Sequence, residues 1–139
     1  GGEDGDADWS SRFCMVRADS DRIEEVIINL LDNAIRFTPE GGKILLSTRM
    51  LKGNEVEVTI WDNGPAVPEE DRDRIFDRFF TSDRAHTSGK GTGLGLSICQ
   101  RALAMHGKEI RLLSDSETAA YGSPEGEGAA FRFALDAVP

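Results

Sequence analysis

A single apolar stripe runs through residues 21–37 and constrains the fold more than any other feature of the chain. Apolar side chains recur there every three or four residues, which is the spacing of one buried face of an α-helix. Asp21 and Glu24 resemble a capping box at its start, and Thr38-Pro39 followed by glycines ends it. Such a helix must pack against another layer of secondary structure. The stripe consists of Ile23, Val26, Ile27, Leu30, Leu31, Ala34 and Phe37.

Two strands are predicted directly after this helix, over residues 43–51 and 55–61, with a hairpin turn between them. In the second strand Val56, Val58 and Ile60 share one face, and the residues between them are charged or polar. Continued alternation brings Asp62 to the apolar face. A carboxylate in an apolar layer is costly unless it has a partner, so Asp62 is a candidate binding residue.

The remaining segments complete the order β-α-β-β-α-loop-α-β-β. Helices are predicted at 69–79 and 94–105, and strands at 13–16, 109–114 and 129–135. The polar stretch 81–91 has little to bury and is interpreted as a mobile loop. This order predicts a two-layer α/β (α+β) sandwich with a mixed, mostly antiparallel sheet of about five strands and three helices on one face. Residues 1–10 are interpreted as a disordered or cloning-derived tail, and residues 11–139 as a single domain.

Composition excludes some functions. The chain has 139 residues and a net charge of −9, which argues against nucleic-acid binding because that requires a basic surface. A single nucleotide needs only a few local donors and is not excluded. No run approaches the roughly 18–20 apolar residues that span a bilayer, so we expect a cytoplasmic domain. The parent protein can still be anchored in the inner membrane by a segment that this sequence does not contain.

Polar residues flank the apolar stripe of the first helix. At about 100° per residue, Asn29, Asn33 and Arg36 fall within about 60° of one another. Carboxamide oxygens suit Mg²⁺, and a guanidinium suits a phosphate oxygen. Taken alone, the same residues also fit a solvated helix edge.

A glycine cluster precedes the helix predicted at 94–105. The sequence from Gly89 to Ser97 reads Gly-Lys-Gly-Thr-Gly-Leu-Gly-Leu-Ser, and it leaves backbone amides open at a helix start, where an anion binds well. It matches neither a Walker phosphate loop nor a dinucleotide fingerprint. A flexible hinge is the alternative. The segment Asp62-Asn63-Gly64 also has two interpretations. Asp62 can accept a hydrogen bond from an exocyclic amine such as adenine N6, or it can simply cap a turn.

The order of four motifs resembles the catalytic domain of sensor histidine kinases over residues 17–135. The N box, first glycine box, F box and second glycine box of that family resemble the following segments: Asn29-Leu30-Leu31-Asp32-Asn33-Ala34, Asp62-Asn63-Gly64-Pro65, Arg74-Ile75-Phe76-Asp77-Arg78-Phe79-Phe80 and Gly91-Thr92-Gly93-Leu94-Gly95-Leu96. The resemblance implies a Bergerat ATP-binding fold with a mobile lid over residues 81–90.

The resemblance also implies roles for individual residues. Asn33 would ligate Mg²⁺ with Asn29 close by, Arg36 would reach the phosphates, and Phe37 would line the pocket. Asp62 would accept a hydrogen bond from adenine, with Gly64 allowing the base to approach. Arg78 and the second glycine box would contact the phosphates. The residues of that box taken as nucleotide-binding are Lys90, Gly91, Thr92, Gly93, Leu94, Gly95 and Leu96.

The implied reaction is transfer of the γ-phosphate of ATP to a histidine on a separate helical phosphoacceptor domain, with a response regulator as the indirect partner. The hydrolases of the same superfamily carry Glu where this chain has Asn29, and an amide cannot act as a general base. Neither His86 nor His106 is followed by an acidic residue, so neither fits an acceptor. Because dimerisation belongs to the helical domain, the fragment is expected to be monomeric.

Two departures from the family pattern keep alternatives open. Ala66 replaces the last glycine of the first glycine box, and Ala129 stands where relatives often have Thr. Both bear on nucleotide affinity. The alternatives are a degenerate ATP-binding or regulatory scaffold and a serine kinase of the anti-sigma-factor type.

Overall fold

The computed structural model of the chain describes residues 15–80, 95–124 and 126–138. Its four strands form one sheet in the order β1-β2-β4-β3, and every pairing is antiparallel. The elements are α1 (Ser20–Phe37), β1 (Ile44–Leu51), β2 (Glu55–Pro65), a 3₁₀ turn (Glu69–Asp71), α2 (Gly95–Met105), β3 (Ile110–Leu112), α3 (Asp115–Ala119) and β4 (Glu127–Asp136).

The helix α1 confirms the apolar stripe, but its predicted cap is wrong. The capping residue is Asp19, whose carboxylate accepts the N–H groups of Asp21 and Arg22 at 3.1 and 3.2 Å. The helix therefore begins at Ser20 rather than at a box formed by Asp21 and Glu24. It ends at Phe37 because Thr38 precedes proline, which disfavours helical backbone, and is extended.

The main core lies between the helices α1 and α2 and one face of the sheet. Val26 and Leu30 of α1 and Leu103 of α2 pack with Ile60 of β2 and Phe131 of β4. The two-layer α/β sandwich is therefore confirmed. The sheet has four strands in the described residues, against about five predicted. Val16, in the segment predicted as a first strand, makes an isolated antiparallel bridge with Ala137, and residues 13 and 14 of that segment lie outside the described residues.

The opposite face of the sheet is also covered in part. Thr59 is buried there, and Arg132 Nε donates to its hydroxyl at 3.0 Å. Arg132 also donates to the hydroxyl of Tyr121, which follows α3, at 2.8 Å. A second, smaller apolar cluster accompanies this network, formed by Trp61, Leu113 and Ala130 with Tyr121 packed against it. The helix α3 therefore lies beside this opposite face, whereas the prediction put all three helices on one face.

The predicted helix over residues 69–79 is wrong, because only Glu69–Asp71 form a 3₁₀ turn. Phe79 has φ of 67°, a left-handed conformation that a bulky side chain in a helix cannot adopt without cost. Phe76 meets the ring of Phe131 edge-on with centroids 6.0 Å apart, which fixes the segment against the sheet. Arg72 adds a hydrogen bond to the carbonyl oxygen of Leu113 at 3.2 Å.

The helix α3 was not predicted, although the sequence carries its start signal. The hydroxyl of Ser114 accepts the N–H of Glu117 at 3.2 Å, and the Glu117 carboxylate accepts the N–H of Ser114 at 3.0 Å. This capping box ends the strand predicted at 109–114 early, so β3 covers only Ile110–Leu112. No helix within the described ranges is long and apolar enough to cross a membrane. The predicted tail over 1–10 and the predicted lid over 81–90 lie outside those ranges.

Candidate functional site

The candidate site is centred on Asp62, near the end of β2. The regular pairing of β2 continues through Asp62, which keeps its side chain on the face of Val58 and Ile60, as predicted. The residue is only 2% exposed. Oδ1 accepts the N–H of Gly64 at 2.9 Å. The neighbouring strands place Ile44 and Ala129 directly opposite Asp62. A carboxylate is therefore held at the edge of the apolar core.

Gly64 allows the end of α1 to approach this carboxylate closely. A Cβ atom built on Gly64 would collide with the carbonyl oxygen of Phe37 and would lie 3.0 Å from Asp62 Oδ1. Only glycine fits between these groups without displacing backbone. The requirement for Gly64 thus comes from the contact between α1 and β2 as well as from any ligand.

Asn63 joins the same region to the start of β1. Its N–H donates to the carbonyl oxygen of Lys43 at 3.1 Å, and its Oδ1 accepts the N–H of Lys43 at 2.8 Å. No individual role is predicted for Asn63 from the sequence. The Asp-Asn-Gly pattern signals a turn, but the partner at Lys43 depends on tertiary structure.

The structure brings Asn29, Asn33 and Arg36 together on the flank of α1, where Asn29 and Asn33 are half-buried. Asn29 Nδ2 donates to the carbonyl oxygen of Glu25 at 2.9 Å. The Asn33 side chain makes no hydrogen bond to any residue that the structure describes. No described residue therefore competes with a ligand for its amide oxygen.

Arg36 is paired with Asp32 one turn earlier, with Nη2 and Oδ2 2.8 Å apart. The Asp32 side chain is exposed, and an exposed pair of this kind contributes only about 0.2–1 kcal/mol. A phosphate group can therefore replace Asp32 at low cost.

The start of α2 lies against this flank. A Cβ atom on Gly95 would be 3.3 Å from Asn29 Oδ1, so the first residue of α2 directly faces the N-box asparagine. Leu96 packs against the main core. The predicted nucleotide-binding residues Lys90, Gly91, Thr92, Gly93 and Leu94 lie outside the described residues.

The thiol of Cys99 fastens α2 to α1. Its Sγ donates to the carbonyl oxygen of Val26 at 3.6 Å. Burial, with a smaller contribution from the charge of Glu25, raises the pKa of Cys99 to about 12. The group is therefore a neutral structural donor rather than a nucleophile.

Arg78 is not brought to Asp62 or to the flank of α1 by any described contact. Its guanidinium carbon lies 5.3 Å from the ring centroid of Phe79, and Phe79 is 66% exposed. The role of Arg78 at the phosphates stays a prediction.

These features define a class, an α/β sandwich with a buried carboxylate near the end of a central strand and polar side chains on the flank of one helix. Residues 18–139 match the family described as Histidine kinase-, DNA gyrase B-, and HSP90-like ATPase, and the chain belongs to that family. Its domain is the ATP-binding catalytic part of sensor histidine kinases such as the relatives below.

Sequence and structural comparisons agree. The chain is 40% identical over 124 residues to the adaptive-response sensory kinase SasA of Nostoc sp., covering 89% of this chain and 28% of SasA. The mycobacterial sensor histidine kinase MprB is 31% identical with a TM-score of 0.77, covering 89% and 78% of the two chains. Full-length ShkA in complex with AMPPNP is 30% identical with a TM-score of 0.70, covering 91% and 24%. The chain thus spans little more than a quarter of the length of the curated sensory kinase.

Proposed function

We propose that this chain binds Mg·ATP between α1 and the end of β2 and transfers the γ-phosphate to a histidine on a separate helical domain. The observation that carries the proposal is the arrangement of the buried Asp62 carboxylate, Gly64 and the half-buried flank of α1 at one end of the sandwich. The carboxylate suits an amine donor, and the flank suits phosphates and a cation.

At the adenine end, Asp62 accepts the exocyclic amine of the base. Its Oδ1 is already oriented by the N–H of Gly64, so the carboxylate is fixed before ATP arrives. Preorganisation of this kind reduces the entropic cost of binding. Phe37 lines the same end of the pocket.

At the phosphate end, Asn33 holds Mg²⁺ and Asn29 lies close to it. No group of three acidic, His or Cys side chains in the described residues is arranged to hold a metal ion. An amide oxygen together with phosphate oxygens fits Mg²⁺, which retains waters and uses few protein ligands. Mg²⁺, when bound, neutralises negative charge that develops on the phosphate oxygens. Arg36, Arg78 and residues 90–96 supply the remaining donors to the phosphates.

Transfer is favoured over hydrolysis because Asn29 offers no general base. Its amide is held by the Glu25 carbonyl, and an amide cannot remove a proton from water. The lone pair of the acceptor nitrogen attacks the γ-phosphorus in line. A P–N bond forms, the bond to the β–γ bridging oxygen breaks, and ADP leaves with that electron pair. The proton on the other ring nitrogen is released to solvent.

The partners follow from this reaction. The immediate partner is the phosphoacceptor helical domain of the same kinase, and a response regulator receives the phosphate from it. We propose that the domain works in the cytoplasm, where ATP is abundant, and that the isolated chain is a monomer.

The test supplies the parent's helical domain in trans with γ-labelled ATP. We expect label on the helical domain only, and the label should be lost in acid because phosphohistidine is acid-labile. Asn33→Ala should abolish the transfer. Asn54→Gly, in the turn that precedes β2, is the control and should retain it.

Other outcomes would favour the alternatives. Acid-stable label on this chain alone would support a serine kinase. Failure to bind any adenine nucleotide would support a regulatory scaffold, since Ala66 and Ala129 depart from the family pattern.

A further inference from the structure

We propose that Asn63 is a positioning residue that fixes the orientation of Asp62 by fastening the end of β2 to the turn between α1 and β1. The inference rests on the proposed adenine-binding role of Asp62. It assigns the geometry of that carboxylate to a side chain that need not touch the nucleotide itself.

The first observation is an interruption in the sheet beside the site. Asp62 of β2 is opposite Ala129 of β4, but the next pair is Pro65 with Glu127. One extra residue therefore lies on β2 between the two pairs, as in a β-bulge. The ladder to β4 does not run regularly through Asn63 and Gly64. Their backbone needs support from another side.

The second observation is that Asn63 supplies this support towards β1. The regular β1–β2 register ends at the pair Ile44–Asp62. Beyond it, the N–H of Asn63 donates to Lys43 O at 3.1 Å, and Asn63 Oδ1 accepts the N–H of Lys43 at 2.8 Å. The side chain takes the place of a main-chain acceptor and closes one further step of pairing.

The third observation is the close packing around the two hydrogen bonds between Asn63 and Lys43. A Cβ atom on Gly42 would lie 2.8 Å from Asn63 Oδ1, so the turn after α1 approaches the amide as closely as a glycine permits. On the other side of Asn63, the N–H of Gly64 donates to Asp62 Oδ1 at 2.9 Å. Rotation of the backbone at Asn63 would therefore move both the Asp62 carboxylate and the donor that orients it.

The test compares the affinities for ATP and for purine riboside triphosphate, which lacks the exocyclic amine. The wild-type chain should prefer ATP by about ten- to a hundredfold, the value of one hydrogen bond to a charged group. Asn63→Ala should reduce this preference to about threefold or less, because a misaligned hydrogen bond is weak. Asn63→Asp keeps the acceptor for Lys43 and should retain most of the preference. Asn54→Gly, in the turn that precedes β2, should leave the preference unchanged.

The ratio of the two affinities separates positioning from a general loss of stability. Partial unfolding weakens the binding of both nucleotides by the same factor, so the ratio does not change. If Asn63→Ala does not fold, Asn63→Ser serves in its place, because its hydroxyl is too short to reach Lys43.

The outcomes distinguish the two proposals. An unchanged ratio in Asp62→Ala would overturn the adenine assignment itself. Loss of the preference in Asp62→Ala, but not in Asn63→Ala or Asn63→Ser, would overturn the role of Asn63 alone. Equal loss in Asn63→Asp and Asn63→Ala would also overturn it.

Discussion

The backbone N–H of Asp19, at the cap of α1, donates a hydrogen bond to Nε2 of His106, just beyond the end of α2, at 3.0 Å. Because Nε2 accepts, the ring proton is on Nδ1, which lies 2.8 Å from the carbonyl oxygen of Ala102. Both ring nitrogens are therefore engaged by backbone groups. The imidazole thus connects two helices, and the expectation that His106 is not a phosphoacceptor stays a prediction.

Replacing this imidazole should reduce stability without changing the chemistry. His106→Leu removes two hydrogen bonds in a half-exposed position, where water compensates in part. We expect a loss of about 1 kcal/mol in the free energy of unfolding, measured by urea titration. Phosphorylation of the helical domain in trans should persist in the variant. Its disappearance from the folded variant would argue that His106 takes part in the transfer.

Asp62→Ala should weaken the binding of ATP sharply. The lost hydrogen bond to a charged group is worth about 1.5–3 kcal/mol, so the dissociation constant should rise about ten- to a hundredfold. Isothermal calorimetry measures this directly. Asp73→Ala removes an exposed carboxylate as the matched control and should leave the affinity unchanged. Equal affinities in the Asp62 variant and the wild type would refute the adenine assignment.

The apolar stripe of α1 offers a matched pair of substitutions. Leu30 is 1% exposed in the main core, and Ile28 on the same helix is 57% exposed. Leu30→Ala should cost about 2–5 kcal/mol of unfolding free energy because it leaves a cavity. Ile28→Ala should change it by about 0.5 kcal/mol at most. Denaturant midpoints compare the two, and similar values would contradict the assigned orientation of α1.

Acid should weaken the attachment of α3. The guanidinium of Arg111, 2.8 and 3.0 Å from the carboxylate oxygens of Glu117, holds the pKa of that carboxyl at about 2, with a further contribution from the Ser114 N–H. A lowered folded pKa stabilises the protein above the unfolded value of 4.5, and the stabilisation is lost as pH falls towards about 2. Melting temperatures across this window should fall less steeply for Glu117→Gln. Parallel curves would exclude this contribution.

Periodicity was sufficient to predict α1 and the faces of β2, because each depends on burial repeated along one element. It also placed Asp62 inward and grouped Asn29 with Asn33. It failed over residues 69–79, where the left-handed Phe79 ends any helical pattern and the contact of Phe76 with Phe131 sets the path of the chain.

Two other features differ in whether a local sequence pattern encodes them. The capping box of α3 is a local signal between Ser114 and Glu117, so the sequence alone could have predicted the start of this helix. The side-chain hydrogen bond of Asn63 joins it to Lys43, which lies twenty residues earlier. No local pattern encodes such a pair, because it exists only after β1 and β2 have aligned.

The two ends of the described chain meet at the turn between β1 and β2. The N–H of Val138 donates to Met15 O, and the N–H of Ala137 donates to Asn54 O, each at 2.7 Å. Asp62 lies near the other end of β2, seven residues after Glu55, which is roughly 23 Å along the strand at about 3.3 Å per residue. A helical domain attached near Met15 or Val138 would therefore be tethered on the side remote from the proposed nucleotide site. Under the proposed phosphotransfer, the length of that tether would decide whether the γ-phosphate reaches a histidine in cis or only one carried by a neighbouring chain.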